Sequence, residues 1–200
     1  MTEMFTLVTG GSGSGKSEYA EALAAGCGCK NRWYLATMEV YGAEGRRKVE
    51  RHRRQREGKG FETLECPRGL KNIRIPGDPQ DTAILLECVS NLAANEMFGA
   101  GEAPDGGTDV ARAEQEAFEG ILCLADQARE LIVVTNEVGL DGGEYGAETK
   151  DYIRLMGRLN RRLAERADRV FEVVFGIPVL LAGPGSERAF GCAREGGRQG

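Results

Sequence analysis

Phe5-Thr6-Leu7-Val8-Thr9 runs without a break into Gly10-Gly11-Ser12-Gly13-Ser14-Gly15-Lys16-Ser17. A short apolar strand is thus joined to a full match of the phosphate-loop pattern G-x-x-x-x-G-K-[ST]. Small residues in succession let several backbone N–H groups turn inward around an anion. The following helix adds its positive N-terminal end. Gly10, Gly11, Ser12, Gly13, Ser14 and Gly15 are therefore the expected nucleotide-binding loop, Lys16 the catalytic cation that reaches the terminal phosphates, and Ser17 a ligand of Mg²⁺. A flexible Gly/Ser turn could match the pattern by chance. The context required by the mechanism is nonetheless present, since Glu18 to Ala25 has few helix breakers.

Working outward, apolar β-rich runs recur at Thr6–Thr9, Trp33–Ala36, Ala83–Leu86, Leu131–Thr135 and Val170–Phe175, with Phe61–Glu65 a shorter extra candidate. Segments of helical character separate them: Lys16–Ala25, Gly45–Arg56, Val89–Phe98, Val110–Arg129 and Thr149–Glu165. This alternation implies a largely parallel sheet with helices on both faces. With the phosphate loop, it predicts an α/β P-loop NTPase fold of the RecA-like, three-layer kind. One domain over residues 1–182 is expected. Gly99–Thr108 reads as an exposed loop. From Gly183 to Gly200 there are six glycines in eighteen residues and little apolar content, which predicts a disordered tail.

Two hundred residues, 41% of them hydrophobic, suffice for one full α/β core. A net charge of −5 argues against a general nucleic-acid binder. No membrane-length apolar stretch and no signal-like N-terminus are seen, so no membrane partner and a cytoplasmic location are expected. The six cysteines read as reduced thiols. Cys27-Gly28-Cys29 lacks the second pair that a zinc site would need.

Local charge opposes global charge between Arg46 and Arg56, where RRKVERHRRQR carries seven Lys or Arg in eleven positions around His52, the one histidine. On a helix, Lys48, His52 and Arg56 share a face. Flanking cations disfavour imidazolium, which predicts a neutral His52 suited to attack phosphorus while the cations hold the phosphates. A solvated basic helix with an incidental histidine is the bland alternative. A nucleic-acid surface would need stacking aromatics, and none interleave with the run.

A phosphoryl-transfer site also needs a carboxylate near Mg²⁺. Glu87, ending the apolar run Ile84-Leu85-Leu86, is the first candidate for the metal, and Glu137 after Val133-Val134-Thr135-Asn136 is the second.

The ordered set GG-x-x-SGKS, YLAT, a histidine in a basic helix, TLE, LLEC, VVTNEVG and G-x-x-N-x-x-LA, from about Phe5 to Leu181, resembles the bifunctional adenosylcobinamide kinase and adenosylcobinamide-phosphate guanylyltransferase family of cobalamin biosynthesis. The resemblance implies phosphorylation of adenosylcobinamide with GTP or ATP and Mg²⁺, then transfer of GMP from GTP through a guanylylated histidine, here His52. It further implies that Thr37, Met38 and Glu39 line the nucleotide cleft, that Arg56 and Glu87 belong to the nucleotide-binding set, that Glu65 touches the guanosine, and that Asn136, Glu137, Val138, Gly139 and Asn160 shape the cleft. A homotrimer is also implied. Departures include Ser12-Gly13 where the family often has Ala-Arg, and Leu140–Tyr145 where it commonly has G-I-V-P. Two other readings stay open: a single-activity P-loop small-molecule kinase with no covalent intermediate, and a nucleotide-switched regulator that binds nucleic acid through Arg46–Arg56.

Overall fold

The apolar runs lie side by side in a single seven-stranded sheet. In a computed structural model of the chain, residues 4–39, 50, 58–99, 109–139 and 143–184 are described. Among them the strands are β1 (Met4–Thr9), β2 (Asn31–Ala36), β3 (Glu62–Glu65), β4 (Thr82–Glu87), β5 (Glu130–Val134), β6 (Arg169–Val174) and β7 (Ile177–Ala182). The helices are α1 (Lys16–Gly26), α2 (Val89–Phe98), α3 (Val110–Ala125) and α4 (Ala147–Arg166). Strand order is β3-β2-β4-β5-β1-β6-β7. All pairs are parallel except β6 with β7.

Alternation along each strand divides the core into two layers. Leu7, Leu86, Leu131, Val133 and Val170 face one side and pack with α2, α3 and α4. Val8, Leu85, Ile132, Val134 and Val173 face the other and pack with Ala20 and Ala24 of α1. Central strands buried on both faces read as continuous apolar runs. In β4, Ala83 through Leu86 are accordingly all fully buried. α4 is held by a stripe of Leu155, Met156, Leu159 and Leu163, the spacing of one helix face.

Two elements differ from expectation. The helix expected over Val110–Arg129 stops at Ala125, because Arg129 is claimed by the sheet. Its N–H donates to Thr82 O and its carbonyl accepts from Met4 N, at 2.9 and 3.1 Å. The second difference is β7, which the sequence reading did not name. Phe175 and Gly176 have φ of 50° and 79°, the positive pair that closes a two-residue hairpin. Pro178 sits in β7 without penalty because an edge strand leaves one side unpaired. The expected helix Gly45–Arg56 lies outside the described residues apart from Glu50. So do residues 100–108 of the expected loop and 185–200 of the expected tail.

Candidate active site

The phosphate loop leaves β1 and enters α1 in a conformation that small residues make possible. A Cβ on Gly10 would stand 2.6 Å from both Val173 O and Ser14 Oγ. Gly15 has φ 91° and lies so close to the β6–β7 turn that a Cβ would meet Gly176 Cα at 3.2 Å. That turn braces the loop, as Gly176 N donates to Ser14 O at 2.8 Å. No side chain caps α1, so its first-turn N–H groups remain oriented toward an anion. Lys16 Nζ donates to Gly11 O at 3.0 Å, which lays the ammonium over the loop. Among the described residues, buried Thr9 Oγ1 and Ser14 Oγ find no hydrogen-bond partner. Unsatisfied polar atoms of this kind mark a site built for something more than packing.

Ser17 and Glu87 meet. Ser17 Oγ donates to Glu87 Oε1 at 2.5 Å, across seventy residues of chain. Parallel register brings this about, since Glu87 ends β4 level with Val134 of β5, and Val134 in turn is level with Val8 of β1. The other carboxylate oxygen accepts from Tyr34 OH at 3.1 Å. A hydroxyl and a carboxylate, both hard oxygen donors, suit a Mg²⁺ that keeps most of its shell for water and substrate phosphates. Among the described residues no group of three His, Cys, Asp or Glu side chains converges as a metal cage.

The remaining expected residues spread along the same carboxyl-end edge of the sheet. Thr37 is fully buried. Its hydroxyl donates to Cys88 O and accepts from Cys88 N, at 2.8 and 2.7 Å, so it ties the end of β2 to the end of β4. Met38 and Glu39 are half-buried just beyond, with Glu39 Oε1 accepting from Arg68 Nη2 at 2.7 Å. Glu65 ends the edge strand β3 and is exposed. Four strand spacings, about 19 Å, separate it from the phosphate loop. His52 and Arg56 lie outside the described residues. Glu137 is exposed beyond β5, while the metal-type pairing with Ser17 belongs to Glu87.

Three side chains at the site were not singled out from sequence. Tyr34 was visible only as part of YLAT; strand alternation, which turns it toward the α1 face with Leu85 and Val134, was the available signal. Asn95 Nδ2 donates to Thr37 O and Pro67 O, at 2.7 and 3.0 Å, and so joins the exits of β2 and β3 to α2. Tyr152 OH donates to Ser90 O at 3.0 Å. Burial, with a smaller push from Cys88, raises its phenol to about 12, so Tyr152 stays a donor throughout the working pH range.

This strand–loop–helix, its lysine and its paired serine and carboxylate have the arrangement of a phosphate-binding site. The chain's relatives narrow the chemistry. The sequence model of the family described as "Cobinamide kinase / cobinamide phosphate guanyltransferase" matches residues 6–181. The chain belongs to this family. Every described strand and helix from β1 to β7 falls within or at the borders of the matched span.

Curated members of the cobinamide kinase / guanyltransferase family are similar over nearly their whole length. The bifunctional adenosylcobalamin biosynthesis protein CobU of Salmonella typhimurium is 34% identical over 183 residues, which is 89% of this chain and 99% of that protein. The protein of the same name from Escherichia coli is 32% identical, covering 89% and 99%. CobP of Pseudomonas aeruginosa is 31% identical, covering 90% and 98%. Similar solved structures include an ATPase of a type III secretion system of pathogenic bacteria. It has 12% identity and a TM-score of 0.49, covering 90% of this chain and 57% of that one. FlaH from Methanocaldococcus jannaschii has 13% identity and a TM-score of 0.45, covering 92% and 82%. Among the described residues no helix is long and apolar enough to cross a membrane.

Proposed function

We propose that this chain catalyses both reactions of its family on one corrinoid: phosphorylation of adenosylcobinamide, then transfer of GMP from GTP to the resulting phosphate. The observation that carries the reading is the Ser17–Glu87 contact beside Lys16, within a chain matched to the family over residues 6–181. In the kinase step the aminopropanol hydroxyl oxygen attacks the γ-phosphorus. The bond from that phosphorus to the β,γ-bridging oxygen breaks, the nucleoside diphosphate leaves with the electron pair, and the hydroxyl proton passes to solvent. Lys16 and the loop N–H groups hold the charge that moves onto the leaving diphosphate. Ser17 and Glu87 would hold Mg²⁺, which when bound neutralises phosphate charge.

In the second reaction a neutral His52 nitrogen attacks the α-phosphorus of GTP and pyrophosphate leaves. The acceptor phosphate then attacks the same phosphorus, the P–N bond breaks and adenosylcobinamide-GDP forms, with His52 neutral again. Arg56 and the neighbouring cations would offset charge on the phosphoryl oxygens. The enzyme works in the cytoplasm as a homo-oligomer, with GTP or ATP for the kinase step. Incubation of adenosylcobinamide with GTP, ATP and Mg²⁺, resolving products by chromatography, tests the reading. Both the phosphate and the GDP-linked product are expected. A phosphate alone would favour a single-activity kinase, and no product would overturn the proposal.

A further inference from the structure

β5 lies between the two halves of the phosphate machinery. On one side is β1, which delivers the phosphate loop; on the other is β4, which ends in Glu87. Val134 pairs with Val8 and with Glu87 as the last pair of each ladder, and the same register carried two residues further would set Asn136 opposite Gly10, the first residue of the loop. The last rung, Thr135 N to Val8 O at 2.9 Å, keeps the strand docked until the residue before Asn136. Whatever leaves β5 at this point opens into the gap between loop and carboxylate, about one strand spacing from each, roughly 5 Å.

Asn136 is held there from every side. Its carbonyl accepts from Asn160 Nδ2 at 3.1 Å, and Asn160 Oδ1 accepts from Thr135 Oγ1 at 2.6 Å, so one side chain of α4 clamps two consecutive residues. The Asn136 amide nitrogen donates to Ser90 Oγ at 2.6 Å and approaches Cys88 Sγ at 3.6 Å. Ser90 is fixed in turn by Tyr152 through its carbonyl and by Cys88 through its hydroxyl. With the nitrogen so engaged, the amide oxygen accepts no hydrogen bond among the described residues.

We propose that Asn136 is a catalytic residue of the kinase step, its Oδ1 accepting the hydrogen bond of the attacking hydroxyl and aiming the oxygen lone pair at the γ-phosphorus. This rests on the kinase half of the proposed function. An amide oxygen is an acceptor without charge. A carboxylate at the same place would repel the γ-phosphate, and a cation would bind the phosphate instead of the alcohol. Phosphoryl transfer through a loose transition state depends on in-line placement more than on strong base catalysis. Asn136 therefore remains neutral throughout, and the proton leaves to solvent when the O–P bond has formed.

The test compares wild type, Asn136→Ala and Ser90→Ala in three assays: phosphorylation of adenosylcobinamide, ATP affinity by calorimetry, and guanylyl transfer to adenosylcobinamide phosphate supplied ready-made. For Asn136→Ala, kcat of phosphorylation should fall on the order of 100-fold, while ATP affinity and guanylyl transfer stay within about threefold. Ser90→Ala keeps the oxygen but loosens its aim, and should give a smaller fall with the same selectivity. Unchanged phosphorylation in Asn136→Ala overturns the proposal, as does a proportional loss in all three assays, the mark of a mere strut. Should Asn136→Ala fail to fold, Ser90→Ala decides by the same criteria. Wild type that phosphorylates nothing overturns the underlying kinase reading and this inference together, an outcome distinct from an active wild type with an insensitive variant.

Discussion

Tyr34→Phe removes one oxygen and leaves the ring packing in place. The lost hydroxyl donates to Glu87 Oε2 at 3.1 Å from a side chain only 4% exposed. A hydrogen bond to a charged group contributes about 1.5–3 kcal/mol. Glu87 is half-buried at the mouth of the site, so water replaces part of that. A net loss of about 1.4 kcal/mol remains, which is tenfold in an equilibrium constant. The loss should appear where Glu87 acts, in the gain of nucleotide affinity that Mg²⁺ brings. Calorimetric titration of GTP with and without Mg²⁺ measures that gain. The metal-free affinity should be unchanged, the gain about tenfold smaller, and the Mg²⁺ concentration for half-maximal phosphorylation correspondingly higher. A Tyr34→Phe enzyme with wild-type Mg²⁺ dependence, or with equal losses with and without the metal, would refute the claim that Tyr34 orients the carboxylate.

Gly10→Ala places a Cβ 2.6 Å from the Val173 carbonyl, backbone that cannot yield cheaply; nucleotide affinity should fall more than tenfold, and calorimetry showing tight binding would contradict the loop geometry. Glu114 ties α3 to α4 through Arg158 and Arg162, at 2.6 and 2.9 Å. Partial burial raises its pKa, but the two guanidinium hydrogen bonds outweigh this and hold it below the ordinary 4.5. A carboxylate depressed in the folded state stabilises fully above its unfolded pKa and loses that contribution as pH falls through the folded value. Wild type should therefore lose stability relative to Glu114→Gln below about pH 4.5, and urea titrations showing a constant difference down to pH 3 would count against the pairing. Lys59→Met leaves Glu21, 3% exposed, without the cation that now meets its Oε2 at 2.5 Å. A loss of about 3 kcal/mol is expected, as for a buried charge stripped of its partner, and denaturant unfolding within 0.5 kcal/mol of wild type would show the pair to be dispensable.

Local chemistry made part of this molecule readable. Gly10 to Ser17 states its own conformation, and Val89–Phe98 was bounded correctly because a strand-end cysteine precedes it and a glycine follows. β7 was unreadable for a local reason, since Pro178 and the glycines after Leu181 mimic irregular chain, and only pairing with β6 makes a strand of it. At the site, Lys16, Ser17 and Glu87 followed from motif and strand position. The contacts that hold them did not. Tyr34 reaches Glu87 across 53 residues and Asn136 reaches Ser90 across 46, and such pairs exist only after the sheet has set its register. Thr37 shows the converse: its place after β2 was foreseeable, but its complete burial against Cys88 depends on β4 lying alongside.

The covalent step through His52 is the central claim, and trapping it is the most direct measurement. Enzyme incubated with GTP labelled at the α-phosphate, then denatured and separated from free nucleotide, should retain label that is released by mild acid and stable to alkali, as a phosphoramidate requires. One equivalent of pyrophosphate should appear with it. His52→Ala should retain none, while still converting adenosylcobinamide to its phosphate. Label that persists in His52→Ala would contradict the account, as would GDP-linked product formed by that variant at the wild-type rate.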